Sequence, residues 1–574
     1  MLDQTGAELI CEGLQGAGID LVFGIPGVHN LALYEAFRRA RLRVITPCHE
    51  QGAAFMALGY ARATGKPGVI VTVPGPGLTN ALTGITEAYL DSIPLVALVT
   101  NVRFDLSQRY QIHQIEQDKL TAFVTREVIA IRKPGDIRDG LRRAFTHAVD
   151  YGEPGPVVVD IAADVLWTKD SVPTPITPPP ATAADNDNSS SVMESVRRIE
   201  SSTRVGMIVG HGASSARDET RELAEWLGAP VVTTHSGRGV LREDHPLLMR
   251  FAWQPGGIDA LNTCLKQCDL ILALGVKFSE HGTHSFALEV PTSLIHVDRE
   301  PDVFGHNYTC LQSVHMDVSA YLQGLIAHKH RLGPRDSRRH EVEAMLAAIQ
   351  TKVQANHRED TYCTIGTETY PASTFFAALR AAMPEDAILV TDAGHHQLLA
   401  SQNFPVYRPN TLIIPVDYQA MGFGIPTAVG VALAQPTQKT VAVIGDGSFA
   451  VSGFELLTAV REQANLVILL FNNRAYGIIK DIQEEQFGVS TNAMLCNPDF
   501  RQLAASFGLH YAQPGGSLHT ALAQLMKRRG PVLVEVGIRT KRRSGVGRLQ
   551  RRLKSDVRQV VSSILSIRQQ GGER

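Results

Sequence analysis

Residues 440–477 constrain the fold of this chain more than any other stretch. They read TVAVIGDGSFAVSGFELLTAVREQANLVILLFNNRAYG. The apolar runs at 440–444 and 466–471 have the length and β-branched content of buried parallel strands, and residues 453–463 between them have helical periodicity. We therefore predict a strand–helix–strand unit in which both strands end at polar residues.

The polar residues after the two strands are candidate ligands. Gly445, Asp446, Gly447 and Ser448 follow the first strand, and Asn473 follows the second. In such units ligands bind at the carboxyl ends of the strands, so we expect Asp446 and Asn473 to lie side by side. Their oxygens suit a magnesium ion that also binds the oxygens of a diphosphate, the two glycines allow tight turns, and Ser448 can bond an oxygen beside the metal. The alternative is that Gly-Asp-Gly is an ordinary turn.

Length and charge place the chain among large globular proteins of several domains. It has 574 residues and a net charge of −2, so no overall charge favours nucleic acid or an acidic membrane surface. It contains no run of eighteen apolar residues, and its first ten residues lack a signal-peptide pattern. We expect a cytoplasmic protein that does not bind membranes.

Alternating strand and helix patterns predict three doubly wound α/β domains with parallel sheets, at residues 1–167, 192–332 and 365–539. A proline-rich and then polar linker occupies 171–191, and a polar junction with one amphipathic helix occupies 334–364. Residues 540–574 form a basic tail, since eleven Lys and Arg but only two acids occur from 539 to 574. The tail could bind nucleic acid or an acidic partner, but we favour a tail whose last helix docks on its own subunit, and we do not expect nucleic acid binding.

Two sets of motifs carry a family resemblance. GDGS and NN, with 27 residues from Asp446 to Asn473, resemble the cofactor motif of the thiamin-diphosphate (ThDP) enzymes. FGIPGVHNLALYEAF, HEQGAAFMALGYARATGKPGV and PGPGLTNALTGITEAYLDSIPLVALV resemble the pyrimidine-binding domain of the acetolactate synthase branch. The resemblance extends over nearly the whole chain. It implies ThDP and Mg²⁺ as cofactors. It also implies a first domain that binds the pyrimidine, a central domain, and a third domain that binds the diphosphate and Mg²⁺.

The resemblance also implies roles in the first domain. The activating glutamate of the family falls on Glu50, which would bond the pyrimidine N1′ and favour the imino tautomer that removes the thiazolium C2 proton. From position alone, Glu50 could instead be a glutamate that only caps a helix. YQIHQIEQ matches the family's FQE region, so Gln114 is a candidate contact of the reacting intermediate. His113 beside it could supply an acid/base group or be an ordinary hydrogen-bonded histidine.

In the third domain DAGHHQLLASQNF and VDYQAMGFGIPTAVGVALA resemble the family's cofactor-binding segments before GDG, and the resemblance points to five further residues. The main-chain oxygen of Gln419 would accept the 4′-amino group, and Met421 would be the wedge under the bent cofactor, although a methionine there could also be plain core. The main-chain oxygen of Ala475 would complete the magnesium shell with Asp446 and Asn473. His395 and His396 could reach the diphosphate or the substrate, or could be surface histidines.

The chain departs from the acetolactate synthase pattern at three places. Ile482 stands where the biosynthetic enzymes carry a tryptophan that helps to select the acceptor. Lys277 and His281 stand where arginines are usual, and RFAWQPGG replaces the stretch that contacts FAD. We therefore do not expect FAD as a cofactor, and the sequence does not identify the acceptor substrate.

These features predict an enzyme that decarboxylates a 2-oxo acid and transfers the resulting carbanion to an acceptor carbonyl. The alternatives are simple decarboxylation to an aldehyde and a non-catalytic binding or regulatory relative. Because Glu50 and the metal site lie on different domains, the resemblance implies a homodimer or homotetramer in which each active site is shared by two chains.

Overall fold

The computed structural model describes residues 4–150, 152–170, 189–250, 256–356 and 360–540. The tail beyond 540, most of the predicted linker and the centre of RFAWQPGG therefore lie outside the described residues. Sheets of six, five and eight strands organise the described chain, together with one two-stranded ribbon. Within the described ranges, no helix is both long and apolar enough to cross a membrane.

The first part of the chain alternates strands and helices. Its elements are β1 Gln4–Thr5, α1 Gly6–Gly16, β2 Leu21–Gly24, α2 Leu31–Ala40, β3 Arg43–Ile45, α3 Glu50–Thr64, β4 Gly68–Thr72, α4 Pro76–Leu90, β5 Leu95–Thr100, α5 Gln117–Thr121, β6 Glu127–Ile131, α6 Ile137–Asp150, β7 Pro156–Ile161 and β8 Lys169–Asp170. The six-stranded sheet has the order β3-β2-β4-β5-β7-β6, and all its pairs are parallel. The ribbon joins β1 to β8.

The middle part repeats this architecture. Its elements are α7 Ser189–Ser201, β9 Val205–Val209, α8 Arg217–Leu227, β10 Val231–Thr233, α9 Gly257–Leu265, β11 Leu270–Leu274, β12 Leu294–Asp298, β13 Gln312–His315, α10 Val318–Ala327, α11 Lys329–Leu332 and α12 Asp336–Asn356. The sheet order is β10-β9-β11-β12-β13, again entirely parallel.

The third part contains the 440–477 unit. Its elements are β14 Thr361–Ile365, β15 Glu368–Pro371, α13 Ala372–Ala382, β16 Ile388–Thr391, α14 His395–Asn403, β17 Leu412–Ile413, α15 Gly424–Ala434, β18 Thr440–Gly445, α16 Asp446–Ser452, α17 Glu455–Arg461, β19 Leu466–Asn472, α18 Gly477–Phe487, α19 Phe500–Ser506, β20 His510–Tyr511, α20 Leu518–Lys527 and β21 Val532–Thr540. The sheet order is β15-β14-β21-β19-β18-β16-β17, with β20 beside β21.

The third sheet is parallel except at one edge, where β14 pairs antiparallel with both β15 and β21. The pair Ile365 and Glu368 closes the β14–β15 hairpin around a two-residue loop. Gly366, the first loop residue, has φ +61°, a backbone conformation that glycine adopts at little cost in tight hairpin turns. The three predicted α/β domains with parallel sheets are thus confirmed, with an antiparallel hairpin added to the third.

The first and third sheets share one hydrophobic core, because α3 packs on α15. Residues 52–61 of α3 and 424–433 of α15 are all buried. Glycines allow the close crossing: a β-carbon on Gly59 would lie 2.1 Å from the main-chain oxygen of Thr427. The first domain, which carries Glu50, therefore packs directly on the third domain, which carries Asp446.

Candidate active site

Three neighbouring parallel strands, β16, β18 and β19, end at one edge of the third sheet. Gly445, the last residue of β18, pairs with Phe471 there. Asp446 follows β18 directly and therefore lies beside Asn472, the last residue of β19. Asp446 is the first residue of α16, whereas the sequence predicted a helix only from 453 onwards. Gly445 is extended and serves as the N-cap, so the helix starts directly at the motif and the carboxylate lies at its N-terminus.

Asp446 is held by hydrogen bonds at both oxygens. It is 3% exposed, and its Oδ1 accepts the N–H of Gly447 at 3.1 Å. Asn497 donates from one Nδ2 to Asp446 Oδ2 at 2.8 Å and to Asn472 Oδ1 at 2.9 Å. Burial raises the pKa of Asp446, so a cation beside the carboxylate would stabilise its charged form.

The turn after β19 contributes the other predicted metal ligands. Asn473 is half-buried, and its Oδ1 accepts the N–H of Ala475 at 3.2 Å. Arg474 between them has φ +56°, which turns the chain sharply. Among the described residues no cluster of three or more His, Cys, Asp or Glu could hold a metal, so any metal here would depend on amide and main-chain oxygens as well as on Asp446.

The end of β16 places His395 and His396 at the same edge. His396 is buried, and burial lowers its pKa to about 3, so it is neutral at physiological pH. His395 is half-buried, with Nδ1 3.9 Å from Oδ2 of Asp481 on α18, and burial lowers its pKa as well. Ser448 donates from its hydroxyl to the main-chain oxygen of Ala393 at 3.3 Å. Both histidines thus lie beside the ends of β18 and β19.

A segment with unusual backbone angles carries Gln419 and Met421. Gln419 has φ +58°, and its side-chain amide donates to the main-chain oxygens of Pro415 and Val416. Met421 is 36% exposed. Asp392, at the end of β16, accepts the N–H groups of Gly422 and Gly424, and burial raises its pKa to about 6. The segment with the two predicted cofactor contacts is therefore anchored to the edge that carries Asp446.

The residues at this edge fit a magnesium diphosphate. A β-carbon on Gly445 would lie 2.7 Å from Nδ1 of His396, and one on Gly477 would lie 2.6 Å from Nδ2 of Asn473. A β-carbon at either position would force the neighbouring side chain to move, and glycine avoids this. The hard oxygen atoms beside them are the ligands that magnesium prefers. Asp446, Asn473 and Ala475 would hold the metal, and the start of α16 would face the phosphates.

Glu50 is the first residue of α3, as the sequence predicts for a helix start. Its Oε2 accepts a hydrogen bond from Asn80 Nδ2 at 3.0 Å, and its Oε1 faces Gly77, at 3.6 Å from a β-carbon placed there. These partners belong to the first domain, whereas those of Asp446 belong to the third. The structure thus places Glu50 and Asp446 in separate contact networks of one chain.

The main chain just before Glu50 is held by the third domain. Glu455, at the start of α17, is buried and accepts the N–H groups of Cys48 and His49, each at 3.1 Å. Thr458 donates to its second oxygen at 2.9 Å. Burial raises the pKa of Glu455. The position of Glu50 therefore depends on a carboxyl group nine positions after Asp446.

His113 and Gln114 lie in an exposed loop near the start of α4. His113 has φ +69°, and its ring centre lies 5.3 Å from that of His29. Its main-chain oxygen lies 2.8 Å from where a β-carbon on Gly75 would be. Gln114 accepts the N–H of Gln111 through Oε1 at 3.1 Å. Since Gly77 faces Glu50, the loop is close to the predicted activating group.

The two residues that replace arginines in the middle domain make internal contacts. Lys277 donates to the main-chain oxygen of Leu90 at 2.9 Å and forms an ion pair with Glu153. The ring of His281 stacks on His235 with centres 4.7 Å apart. Lys277 thus joins the middle domain to the first.

Sequence reasoning missed four residues that hold this site: Asp392, Glu455, Asp481 and Asn497. None belongs to a motif of its own. Their partners lie far away in the chain, as with Asn497 and Asp446, so only the folded structure brings them together.

Models of one protein family match three parts of the chain. The family description "Thiamine pyrophosphate enzyme, N-terminal TPP binding domain" matches residues 4–121. The central domain of the same family matches 192–325, and its C-terminal TPP binding domain matches 392–536.

Similar curated proteins extend over almost the whole chain. The acetolactate synthase isozyme 1 large subunit of Escherichia coli (strain K12) is 31% identical over 543 residues, 93% of this chain and 94% of that protein. The probable acetolactate synthase large subunit of Methanocaldococcus jannaschii is 30% identical and covers 88% of this chain and 86% of its own length. The probable 2-ketoarginine decarboxylase AruI of Pseudomonas aeruginosa is 30% identical, with 89% of each chain covered. The chain belongs to the thiamin-diphosphate enzymes, in the branch that resembles acetolactate synthase large subunits.

Proposed function

We propose that this protein is a Mg²⁺-dependent ThDP enzyme that decarboxylates a 2-oxo acid and transfers the resulting carbanion to an acceptor carbonyl. One observation carries the proposal: Asp446 and Asn473 follow neighbouring strands at a glycine-lined edge that fits a magnesium diphosphate. The similarity to acetolactate synthases supports the carboligase reaction.

Each group has a role in this proposal. Asp446, Asn473 and the main-chain oxygen of Ala475 hold Mg²⁺. Gln419 and Met421 hold the pyrimidine and the bend of the cofactor, which when bound supplies the carbanion chemistry. Further candidate contacts, at the diphosphate and at the reacting atoms, are Gly445, Gly447, Ser448, His395, His396, His113 and Gln114.

Glu50 would complete the site from a second chain. Its hydrogen bonds and those of Asp446 lie in separate domains. The family resemblance implies that two chains share each active site, so we propose a homodimer or homotetramer with shared active sites. The three domains would span 1–167, 192–332 and 365–539, the enzyme would act in the cytoplasm, and FAD would not be required.

Simple decarboxylation to an aldehyde is the second candidate. The exposed His113, with His29 beside it near Glu50, could deliver the proton that this reaction needs. The similarity to a probable 2-ketoarginine decarboxylase supports the same reading.

A screen of 2-oxo acids would test the proposal. The purified protein, supplied with ThDP and Mg²⁺, is incubated with each acid alone and with acceptor carbonyls, while carbon dioxide is measured and products are identified. Carbon dioxide with a new carbon–carbon bond supports the carboligase, and carbon dioxide with an aldehyde supports the decarboxylase. ThDP binding without carbon dioxide from any acid would support a non-catalytic relative instead. Asp446→Ala serves as the inactive control.

A further inference from the structure

The end of α4 binds the segment that carries Gln419. Glu87, which has no exposed surface, accepts the N–H of Ala420 through Oε2 at 3.1 Å. One helical turn later, Asp91 accepts the N–H of Val416 at 3.2 Å and that of Asp417 at 3.0 Å. Two carboxyl groups of the first domain thus hold three main-chain N–H groups of the third domain in the same chain.

The two carboxyl groups differ in their charge partners. Asp91 forms an ion pair with Arg62 at 3.2 Å, and the side chains are 0% and 7% exposed. Glu87 accepts the main-chain N–H of Ala420, and its side chain also interacts with the carboxyl group of Asp91 one turn away. Burial, and then the charge of Asp91, raise the pKa of Glu87 to about 9. Burial thus favours the protonated form of Glu87, and burial raises the pKa of Asp91 as well.

The bond to Ala420 fixes the neighbouring carbonyl group as well. The N–H of Ala420 and the C=O of Gln419 belong to one peptide group, which is planar and trans, so they point in opposite directions. An acceptor that holds the N–H on one side therefore directs the Gln419 oxygen to the other side. Gln419 has φ +58°, a region that non-glycine residues occupy only when the surroundings hold them there. Glu87 supplies part of that restraint.

We propose that Glu87 is a positioning residue: through the N–H of Ala420 it directs the main-chain oxygen of Gln419 at the 4′-amino group of the cofactor's pyrimidine. The inference rests on the proposed function for the identity of the cofactor. It assigns to the first domain a role in pyrimidine binding that is separate from the role of Glu50. Glu87 acts at one end of the interface between the first and third domains, and Glu455 lies at the other end.

Three variants separate this role from simple packing. Glu87→Met keeps similar volume and removes both oxygens, and Glu87→Asp withdraws the acceptor by one methylene group with less disturbance. Glu87→Gln keeps a neutral acceptor and is the matched control. Calorimetry with Mg²⁺ would measure the affinity of each variant for ThDP and for its analogue that lacks the 4′-amino group.

The two ligands give different expected results. Glu87→Met and Glu87→Asp should weaken the binding of ThDP at least about tenfold, or about 1.4 kcal/mol. Their affinity for the analogue should stay within about twofold of the wild type, because the analogue cannot bond the Gln419 oxygen. Glu87→Gln should bind both ligands as the wild type does. Equal losses for both ligands, or no loss for either, would overturn the inference.

Hydrogen exchange of the cofactor-free protein gives a second readout. The Ala420 amide should exchange faster in Glu87→Met and Glu87→Asp than in the wild type, and at the wild-type rate in Glu87→Gln. Unchanged protection in all variants would refute the contact itself. If the wild type binds neither ligand, the proposed function fails and this inference fails with it; ThDP binding with unaltered ligand selectivity in the variants refutes the inference alone.

Discussion

Gly430 and Met56 lie in contact where α15 crosses α3: a β-carbon on Gly430 would lie 1.9 Å from the main-chain oxygen of Met56. The crossing is close to symmetric, since Gly59 of α3 makes the matching approach to Thr427 of α15. No side-chain rotation can relieve a clash with a main-chain oxygen. The two helices, which join the first and third domains, can therefore approach this closely only with glycine at both positions.

Gly430→Ala should accordingly destabilise the protein. The methyl group must push the helices apart, and overpacking of this kind typically costs about 1–3 kcal/mol or more. We expect a lower thermal unfolding midpoint, measured by calorimetry. Gly135→Ala is the matched control, because nothing lies within 4 Å of a β-carbon there. Equal midpoints for the two variants would mean that the crossing tolerates a wider spacing.

Asp446→Ala should weaken ThDP binding in the presence of Mg²⁺. The change removes the charged metal ligand, so the diphosphate charge is poorly compensated. We expect the affinity to fall at least about tenfold, or about 1.4 kcal/mol, by calorimetry. Asp218→Ala, at an exposed aspartate of the middle domain, controls for the loss of a surface charge and should bind normally. Unchanged affinity in Asp446→Ala would show that the metal site is elsewhere.

Glu50→Gln should leave the fold and most of the diphosphate binding intact and should slow the reaction. Loss of a general acid/base group should lower the rate about a hundredfold or more, equivalent to about 3 kcal/mol. The rate of C2 proton exchange of bound ThDP measures this step directly. Wild-type exchange in the variant would remove Glu50 from the mechanism.

Mixing Glu50→Gln with Asp446→Ala subunits tests the shared site. In a mixed dimer one site carries both changes and the other carries neither. Random pairing should therefore restore roughly a quarter of the wild-type activity, provided that subunits exchange. No recovery after demonstrated exchange would place both groups in the site of a single chain.

The stability of the protein should depend on pH through Glu87. Its pKa is raised from 4.5 to about 9 in the folded chain, next to Asp91 and Arg62. Between these values the folded state keeps a proton that the unfolded state releases, so this contribution is full below pH 4.5 and is lost as the pH rises toward 9. Glu87→Gln lacks it. From pH 5 to 8.5 the free energy of unfolding of the wild type should therefore fall relative to that of the variant, by at most about 1.4 kcal/mol per pH unit, and the difference between their thermal midpoints should change in the same direction. If the stability of the wild type and of the variant changed with pH in the same way, Glu87 would not carry a proton in the folded chain.

The sequence predicted most of the fold because buried parallel strands have continuous apolar runs. β18 and β19 were predicted to within one residue, and Glu50 does begin a helix. No strand was predicted at β6 or β13, which are edge strands of their sheets, nor at β14 to β17 and β20 of the third sheet. In β13, which reads QSVH, exposed polar residues alternate with buried ones, so the continuous apolar run is missing.

The candidate site was predictable only where a motif marks it. GDGS and NN lie at strand ends, and the parallel register of β18 and β19 brings those ends together. Asn497, Asp392 and Glu87 bind main chain or side chains that are distant in sequence, and no local pattern distinguishes them from other polar residues. The start of α16 was missed for another reason, since Gly445 looks like part of a turn but acts as a helix cap.

The hydrogen bonds from Cys48 and His49 to Glu455 have a consequence for protein engineering. A chimaera that takes its first domain from one relative and its third from another keeps main-chain donors at positions 48 and 49, but it keeps them within reach of Glu455 only if both parents pack α3 on the third domain in the same way. Where the packing differs, the buried carboxyl group loses these two donors, at a cost of about 1–3 kcal/mol or more. Crossover points that keep residues 43–64 with residues 424–461 from the same parent avoid this loss. In recombination experiments, these two stretches should therefore come from the same parent, although they are far apart in the sequence.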